Sequence, residues 1–172
     1  YKRQTMGVQW LSAGLARLSR PAGQGRHSAA DFSIVAPMVG RRDSTETYVR
    51  ALARLAEAGA EILICVTSED DEAVGRVRAA WPAAPILVGS DDTFNPKMNN
   101  VRKGFEAATR PVVMLCDAGV AATEAELAAA AALLSDTVGL VLALKVGTEP
   151  GNFAGEMECA YINGHQARFL LA

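Results

Sequence analysis

The sequence lacks the features that would assign it at once to several common functional classes. It has no excess of positive charge, since its formal net charge is −2, so nothing electrostatic favours nucleic acid as a partner. No uninterrupted apolar run approaches the roughly 18 residues that predict a membrane-spanning helix. A phosphate-binding loop of the form GxxxxGKS or GxxxxGKT, a GxGxxG motif after the first predicted strand and a GxSxG nucleophile motif are also absent. These absences argue against the nucleotide hydrolases, dehydrogenases and serine hydrolases that carry such motifs.

Cysteine, histidine and aromatic residues are scarce. There are three cysteines and two histidines, and aromatic residues make up 6% of the chain. No CxxC pair or cluster of cysteine and histidine indicates a zinc site. Cys65 and Cys116 lie in apolar runs, which predicts buried free thiols in a reducing compartment. His27 lies in a predicted linker, and spacing alone assigns no partner to His165.

What the sequence does have is a regular alternation of short apolar runs with stretches of helical periodicity. The apolar runs predict five strands, at residues 32–37, 61–66, 86–88, 112–116 and 138–146. Helices are predicted between and after them, with candidate N-terminal caps at Asp43 or Ser44, Thr123 and Asn152. This alternation predicts an α/β fold with a mostly parallel sheet. At 172 residues, the chain is long enough for a substantial core.

Residues 1–30 differ in character from residues 31–172. Apolar residues at helical spacing alternate there with basic ones, namely Val8, Leu11, Leu15 and Leu18 with Lys2, Arg3, Arg17, Arg20 and Arg26. The pattern predicts a basic amphipathic segment on an anionic membrane surface, followed by a linker. An ordinary helix packed on the domain, or a frayed terminus, remains the alternative. The chain begins without methionine and ends inside a predicted helix, so we expect both ends to be truncated.

Acidic residues follow two of the predicted strands at the point where each strand ends. Asp70 and Asp71 come after the second strand, and Asp117, followed by Gly119, comes after the fourth. Because the carboxyl ends of parallel strands meet at one edge of the sheet, these carboxylates are expected there together. One could hydrogen-bond a ribose or base, and the other could hold a divalent cation with diphosphate oxygens. The alternative is that Asp117 shapes a turn and that Asp70 and Asp71 favour a helix N-terminus.

A polar loop precedes the predicted helix that leads to the fourth strand. It contains Asn95, Lys97, Asn99 and Asn100. Lys97 could meet a phosphate as a point charge. Alternatively, the asparagines cap and turn the chain, and Lys97 is a solvated surface charge.

Several of these stretches, in this order across residues 32–168, resemble the ceramide glucosyltransferase-like glycosyltransferases, in particular a bacterial branch associated with hopanoid lipid biosynthesis. The matching stretches are Val35-Ala36-Pro37 with Gly40, Leu63-Ile64-Cys65-Val66 with Asp70-Asp71, Asn95-Pro96-Lys97-Met98-Asn99-Asn100, Cys116-Asp117-Ala118-Gly119-Val120, Val138-Gly139-Leu140-Val141, and Phe153-Ala154 with Glu158 and Tyr161. The family consists of inverting, nucleotide-sugar-dependent enzymes, and the resemblance implies the GT-A fold.

The resemblance also implies roles for individual residues. Asp117 matches the family aspartate that binds the cation, Mg²⁺ or Mn²⁺, together with the diphosphate. The residues implied to contact or border the donor nucleotide are Asp71, Asp70, Lys97, Asn99, Asn95 and Pro37. His165 lies near a family histidine linked to the active site, but it is one residue closer to Tyr161 than in the animal enzymes.

The implied reaction moves a sugar, glucose or a related hexose, from a UDP-sugar to a ceramide-like or hopanoid-like lipid at the cytoplasmic side of a membrane. The family's third aspartate, the implied general base, and its Gln/Arg-x-x-Arg-Trp motif have no counterpart in this chain. We therefore expect the donor-binding half of such an enzyme. Two alternatives remain open: a nucleotidyltransferase using the loop Gly40-Arg41-Arg42, and a non-catalytic nucleotide-binding module.

Overall fold

A computed structural model describes residues 27–40, 44–89, 94–143, 146–148 and 150–166 of the chain. The chain divides between Ala132 and Leu133 into two compact units. We call the described residues of 27–132 the sheet unit and those of 133–166 the C-terminal unit. The amphipathic segment predicted within residues 1–30 falls, up to residue 26, outside the described residues.

The sheet unit is built on four parallel strands. They are β1 (Phe32–Pro37), β2 (Glu61–Val66), β3 (Ile86–Val88) and β4 (Val112–Leu115), in the spatial order β3-β2-β1-β4. In the register of the central pair, Ile34 lies opposite Ile62, and on the other side of β1 it lies opposite Met114. The predicted α/β fold with a parallel sheet is thereby confirmed, and each of these four strands lies within one residue of its predicted bounds.

The fifth predicted strand, over residues 138–146, is not found among the described residues of that stretch. Val138 forms only an isolated antiparallel bridge with Ser135. Leu140, Leu142 and Val146 are largely exposed. A strand depends on a neighbour that pairs with it, and an apolar run within one segment does not supply that neighbour.

Helices connect the strands and follow the last of them. They are α1 (Thr45–Glu57), α2 (Glu72–Ala80), α3 (Pro96–Ala107), α4 (Glu124–Ala131) and α5 (Phe153–Tyr161), with a short 3-10 turn at Ala29–Asp31 and a π-helical turn at Ile162–Gln166. The predicted capping box of α4 is present, because the Thr123 side chain accepts from the Glu126 backbone and the Glu126 carboxylate accepts from Thr123. Asn152 caps α5 as predicted, through a bond from Gly155. Ser44 occupies the cap position of α1 but makes no capping bond with its side chain.

The main core lies on one face of the sheet. It is formed by buried side chains of the central strands and of the helices that cover them, including Ile34, Ala36, Ile62, Ile64, Val66, Tyr48, Leu52, Val77 and Leu127. Burial of these apolar surfaces is the main stabilising contribution to the unit.

The opposite face carries a smaller cluster of Val35, Leu63 and Cys65, and α3 contacts β1 and β2 there. Gly104 allows the close approach: a Cβ atom at this position would lie 2.3 Å from Cγ1 of Val35. The absence of a side chain thus fixes the distance of α3 from the sheet.

The cysteines behave as the apolar runs predict. Cys65 and Cys116 are buried free thiols. Burial raises the pKa of Cys65 to about 11, so its thiol stays protonated and unreactive at neutral pH.

A polar network closes the amino edge of the sheet. The carboxylate of Glu61 accepts hydrogen bonds from the Ser33 hydroxyl and from the backbone and hydroxyl of Thr109. Burial pushes the pKa of Glu61 upward, but these hydrogen bonds outweigh it and leave the pKa below its ordinary value. The network ties β1 and β2 to the segment that enters β4, at the end of the sheet opposite the candidate site.

Candidate functional site

The strand order places a topological switch point between β1 and β4. From β1 the sheet continues through β2 to β3 on one side, whereas β4 lies on the other side. In open α/β sheets, ligands bind in the crevice beyond the carboxyl ends of the strands at which the order reverses. Pro37 is buried at the end of β1, and Asp117 follows the end of β4 by two residues. The predicted metal ligand therefore lies at the switch point.

Asp117 is paired there with Lys97. The Nζ atom of Lys97 lies 2.6 Å from Oδ1 of Asp117, and 55% of the lysine side chain and 34% of the aspartate side chain are exposed. A pair this exposed adds at most about 1 kcal/mol to stability. The structure thus brings together the two residues that the sequence assigned to the cation and to a phosphate.

The backbone before Asp117 is fixed from two sides. The Cys116 amide donates to the carbonyl of Val35 at 2.9 Å, which continues the pairing of β4 with β1. The Cys116 carbonyl accepts a hydrogen bond of 2.9 Å from the hydroxyl of buried Tyr48. Burial, with the nearby Cys116 and Asp117, raises the pKa of Tyr48 far above its ordinary value, so the hydroxyl remains a neutral donor. The Tyr48 bond is expected to fix the direction in which Asp117 leaves the strand.

A tight turn follows Asp117. The Val120 amide donates to the Asp117 carbonyl at 3.0 Å, and Gly119 adopts a φ of 91°, which a residue with a side chain rarely tolerates. A Cβ atom at Gly119 would lie 3.4 Å from the Ser44 hydroxyl. The glycine therefore permits the turn and brings it beside the start of α1.

Asp71 connects the loop after β1 to the start of α2. Its Oδ1 atom accepts from the Ala73 amide and from the Gly40 amide, each at 2.8 Å. The first bond caps α2, as the structural alternative expected, and the second anchors the loop that borders the crevice on the β1 side. Asp70 is exposed beside it, and its amide donates to the Ser68 hydroxyl at 3.2 Å.

The stretch Asn95-Pro96-Lys97-Met98-Asn99-Asn100 contains a capping residue, exposed residues and buried residues. Asn95 caps α3 by accepting from the Met98 amide at 3.3 Å, and the following proline occupies the first helical position, which suits its fixed φ. Lys97 extends to Asp117. Asn99 is only 4% exposed, so it is buried at the base of this turn. Asn100, also buried, donates to the Thr67 hydroxyl at 3.4 Å.

Lys103 is a residue at this edge that sequence reasoning missed. Its Nζ atom donates to the carbonyls of Val66 at 2.7 Å and Gly89 at 2.5 Å, and to Oδ1 of Asn100 at 3.2 Å. Burial lowers the pKa of Lys103. The ammonium group therefore links the carboxyl ends of β2 and β3. Tyr48 was missed as well, because its helical periodicity predicts a buried position but gives no information about its distant hydrogen-bond partner.

The residues at the switch point fit a cation that is shared with a ligand. Within the described parts of the chain, no group of three or more histidine, cysteine, aspartate or glutamate side chains is arranged to hold a metal ion. Mg²⁺ is commonly bound by one or two carboxylates together with substrate phosphates. Asp117 supplies such a carboxylate, so the site fits a metal that is completed by a diphosphate.

His165 belongs to the C-terminal unit. It lies in the π-helical turn after α5, and its ring stacks on Tyr161 with 5.2 Å between the ring centroids. In the same unit, Asn163 exchanges two hydrogen bonds with the backbone of Gly147, at 2.8 and 2.9 Å. Arg41 and Arg42, the basis of the nucleotidyltransferase alternative, lie outside the described residues. None of the helices described in 27–166 is both long and apolar enough to cross a membrane.

Comparison with known proteins gives one family and two informative relatives. Residues 4–172 match the family described as glycosyl transferase family 21. The chain is 27% identical over 99 residues to ceramide glucosyltransferase 3 of Caenorhabditis elegans, covering 54% of this chain and 22% of that protein. It is 28% identical over 94 residues to ceramide glucosyltransferase 1 of the same organism, covering 51% of this chain and 20% of that protein. The chain thus matches about one fifth of the length of these relatives. No solved structure matches it significantly.

Proposed function

Because this chain belongs to glycosyl transferase family 21, we propose that its sheet unit binds the sugar donor of a lipid glycosyltransferase. The donor is a UDP-sugar carrying glucose or a related hexose, and the acceptor is a ceramide-like or hopanoid-like lipid. The names of the two ceramide glucosyltransferase relatives support a lipid acceptor. The observation that carries the proposal is the position of Asp117 at the switch point, where open α/β sheets bind nucleotides.

The proposed diphosphate site consists of Asp117 and Lys97. The carboxylate of Asp117 would hold Mg²⁺ or Mn²⁺ together with the donor phosphates. The metal would supply positive charge that stabilises the departing diphosphate. Lys97, whose ammonium group lies beside the same carboxylate, would add a second positive charge to the phosphates.

The proposed nucleotide site lies along the loop after β1. Asp71 holds this loop through the Gly40 amide, and Pro37 ends the strand from which the loop leaves. Asp70 is exposed beside it and can accept a hydrogen bond from ribose or base. Asn95 and Asn99 would contribute from the first turn of α3, by fixing the backbone from which Lys97 extends.

We propose that transfer inverts the configuration at the sugar carbon, with the acceptor hydroxyl attacking opposite the departing diphosphate. Such an attack needs a base to accept the hydroxyl proton. We assign no base among the described residues. The chain alone is therefore expected to bind donor with little turnover.

The proposed location is the cytoplasmic face of a membrane. The basic amphipathic pattern within residues 1–30 supports it, because such segments bind anionic lipid surfaces. A vesicle sedimentation assay with and without anionic lipid tests this part. Binding that is independent of anionic lipid would contradict it.

Calorimetric titration of UDP-glucose tests the donor site. The wild-type chain should bind it with Mn²⁺ and lose binding when the metal is chelated. Asp117→Asn should remove the metal-dependent part, because the amide no longer offers a charged oxygen to the cation. Glu106→Gln, an exposed change on α3, removes the same charge away from the crevice and should bind like wild type.

Two results would contradict the proposal. If Asp117→Asn still binds UDP-glucose in a metal-dependent manner, Asp117 is not the metal ligand and serves only in the turn. Release of pyrophosphate instead of UDP in an assay with donor, metal and acceptor would favour the nucleotidyltransferase alternative.

A further inference from the structure

The ion pair between Lys97 and Asp117 occupies the same carboxylate that the proposed cation would use. Lys97 Nζ lies 2.6 Å from Oδ1 of Asp117, which is the separation of a direct, charge-assisted hydrogen bond. A divalent cation on this carboxylate would be close to the ammonium group, and like charges at such short distances repel strongly. Metal and lysine therefore compete for Asp117.

We propose that Lys97 is a built-in counter-cation that weakens the binding of a divalent metal to Asp117 until a diphosphate arrives. The inference rests on the proposed donor site and deepens it. Lys97 then has two positions: on the carboxylate of Asp117 when the donor is absent, and on a phosphate oxygen when metal and donor are bound. The metal and the donor consequently bind together and only weakly one at a time.

Charge balance supports this coupling. Within the pair, the charges of Asp117 and Lys97 cancel, so adding a divalent cation alone would give this set a net charge of about +2, and adding a nucleotide diphosphate ester alone would give it about −2. When both ligands bind, the charges of cation, diphosphate, lysine and aspartate sum to zero. The neutral set is favoured over either charged one because its opposite charges attract each other, and the exposure of both side chains to water keeps this effect modest.

The positions of the two residues permit the movement. Lys97 lies in the first turn of α3 behind the Asn95 cap, and more than half of its side chain is exposed. Its flexible four-carbon stem can therefore move the ammonium group without a change in the backbone. Asp117 follows a backbone held by Tyr48 and Val35, so the carboxylate stays in place while the lysine moves.

The experiment measures Mn²⁺ binding by electron paramagnetic resonance, with and without saturating UDP-glucose. Wild type should bind Mn²⁺ alone weakly, and the donor should raise its affinity by about tenfold or more, within the usual range of coupling between sites. Lys97→Met should bind Mn²⁺ alone more tightly than wild type by up to about fivefold, because the competing cation is gone and an ion pair this exposed is weak. The donor should then raise its Mn²⁺ affinity by a correspondingly smaller factor.

Two control variants separate competition from general effects of charge and folding. Arg102→Met removes the same charge from the same helix, where Arg102 pairs with Glu106 at 3.8 Å, and should leave both Mn²⁺ affinities unchanged. Adding Asp117→Asn to Lys97→Met should abolish the gained affinity if Mn²⁺ occupies this carboxylate. Circular dichroism of each variant verifies that the chain is folded.

The outcomes distinguish this inference from the proposed function. If wild type binds UDP-glucose with Mn²⁺ but Lys97→Met leaves the affinity for Mn²⁺ alone unchanged, the counter-cation role is refuted and the donor site stands. If wild type binds no UDP-glucose under any condition, the proposed function fails together with the coupling. In that case, the affinities of wild type and Lys97→Met for Mn²⁺ without donor still decide whether Lys97 competes for Asp117.

Discussion

Replacing Gly104 by alanine should destabilise the sheet unit, although alanine is the better helix former. The new Cβ atom would lie 2.3 Å from Cγ1 and 3.1 Å from Cγ2 of Val35, and 3.0 Å from Sγ of Cys65. Val35 and Cys65 are both fully buried, so neither can move aside without disturbing the strands. The methyl group can be accommodated only if α3 moves away from the sheet.

The magnitude follows from two opposing effects. Overpacking a close-packed core costs about 1–3 kcal/mol, and a contact as short as this one belongs at the upper end. Alanine returns about 1 kcal/mol through its higher helix propensity. We therefore expect a net loss of about 2 kcal/mol, which for a chain of this size lowers the melting temperature by roughly 4–8 °C.

Urea denaturation followed by circular dichroism measures this loss, and Gly75→Ala is the matched control. Gly75 also lies inside a helix, α2, but a Cβ atom there would have no neighbour within 4 Å. That variant should gain about 0.5–1 kcal/mol. In a double-mutant cycle, Val35→Ala should offset part of the cost of Gly104→Ala, because it removes the methyl groups that clash.

The reasoning would be refuted if Gly104→Ala were as stable as wild type or if both glycine variants gained stability equally. Either result would mean that α3 does not approach the sheet as closely as described. If the loss is observed, the variant should also bind UDP-glucose with Mn²⁺ more weakly, since a displaced α3 carries Lys97 away from Asp117.

Four further variants test contacts around the sheet. Tyr48→Phe should lower the free energy of unfolding by about 1–2 kcal/mol, because a buried carbonyl loses its hydrogen-bond donor. Calorimetry should also show weaker metal-dependent binding of UDP-glucose. Unchanged binding would show that Tyr48 does not contribute to the site. Glu61→Gln should be less stable than wild type at neutral pH. Because the pKa of Glu61 is lowered in the folded state, its contribution to stability is present above its ordinary pKa and is lost as the pH falls through the folded-state pKa. Urea denaturation should therefore show that the difference in unfolding free energy between wild type and Glu61→Gln shrinks below about pH 4.5. A difference that stays constant with pH would contradict this. Asp71→Ala should cost about 1 kcal/mol through the lost helix cap and also weaken donor binding, whereas Asp70→Ala should leave stability unchanged in the same assays; equal losses in stability would argue against the assigned cap.

The strands of the sheet unit could be predicted because each is marked within its own segment. The run from Ile62 to Val66 is continuously apolar and ends before a polar stretch, which is typical of a strand buried on both faces. The caps of Asn95, Thr123 and Asn152 were likewise predictable, since a cap depends on residues only two or three positions away. Residues 138–146 have an equally apolar pattern, but the described part of that stretch forms only the isolated bridge of Val138 with Ser135 and no strand.

The candidate site could be predicted only in part. Placement of Asp117 at the carboxyl edge follows from the rule for parallel strands, but its contact with Lys97 depends on where α3 begins relative to β4. The bond from Tyr48 to Cys116 and the contacts of Lys103 with two strand ends join distant segments. No local pattern encodes such contacts, because helical periodicity shows which residues lie on the buried face of a helix but not which distant groups they hydrogen-bond.

The central position of β1 gives it two pairing partners at very different distances along the chain. β1 pairs on one side with β2, which follows it closely in the chain, and on the other with β4, which follows it much later. The bond from Tyr48 to Cys116 joins residues 68 positions apart. Closing long loops costs more entropy than closing short ones, so pairings between distant segments form late. We therefore expect the crevice at Asp117 to be assembled at the end of folding, and nucleotide binding to report on the completed native state.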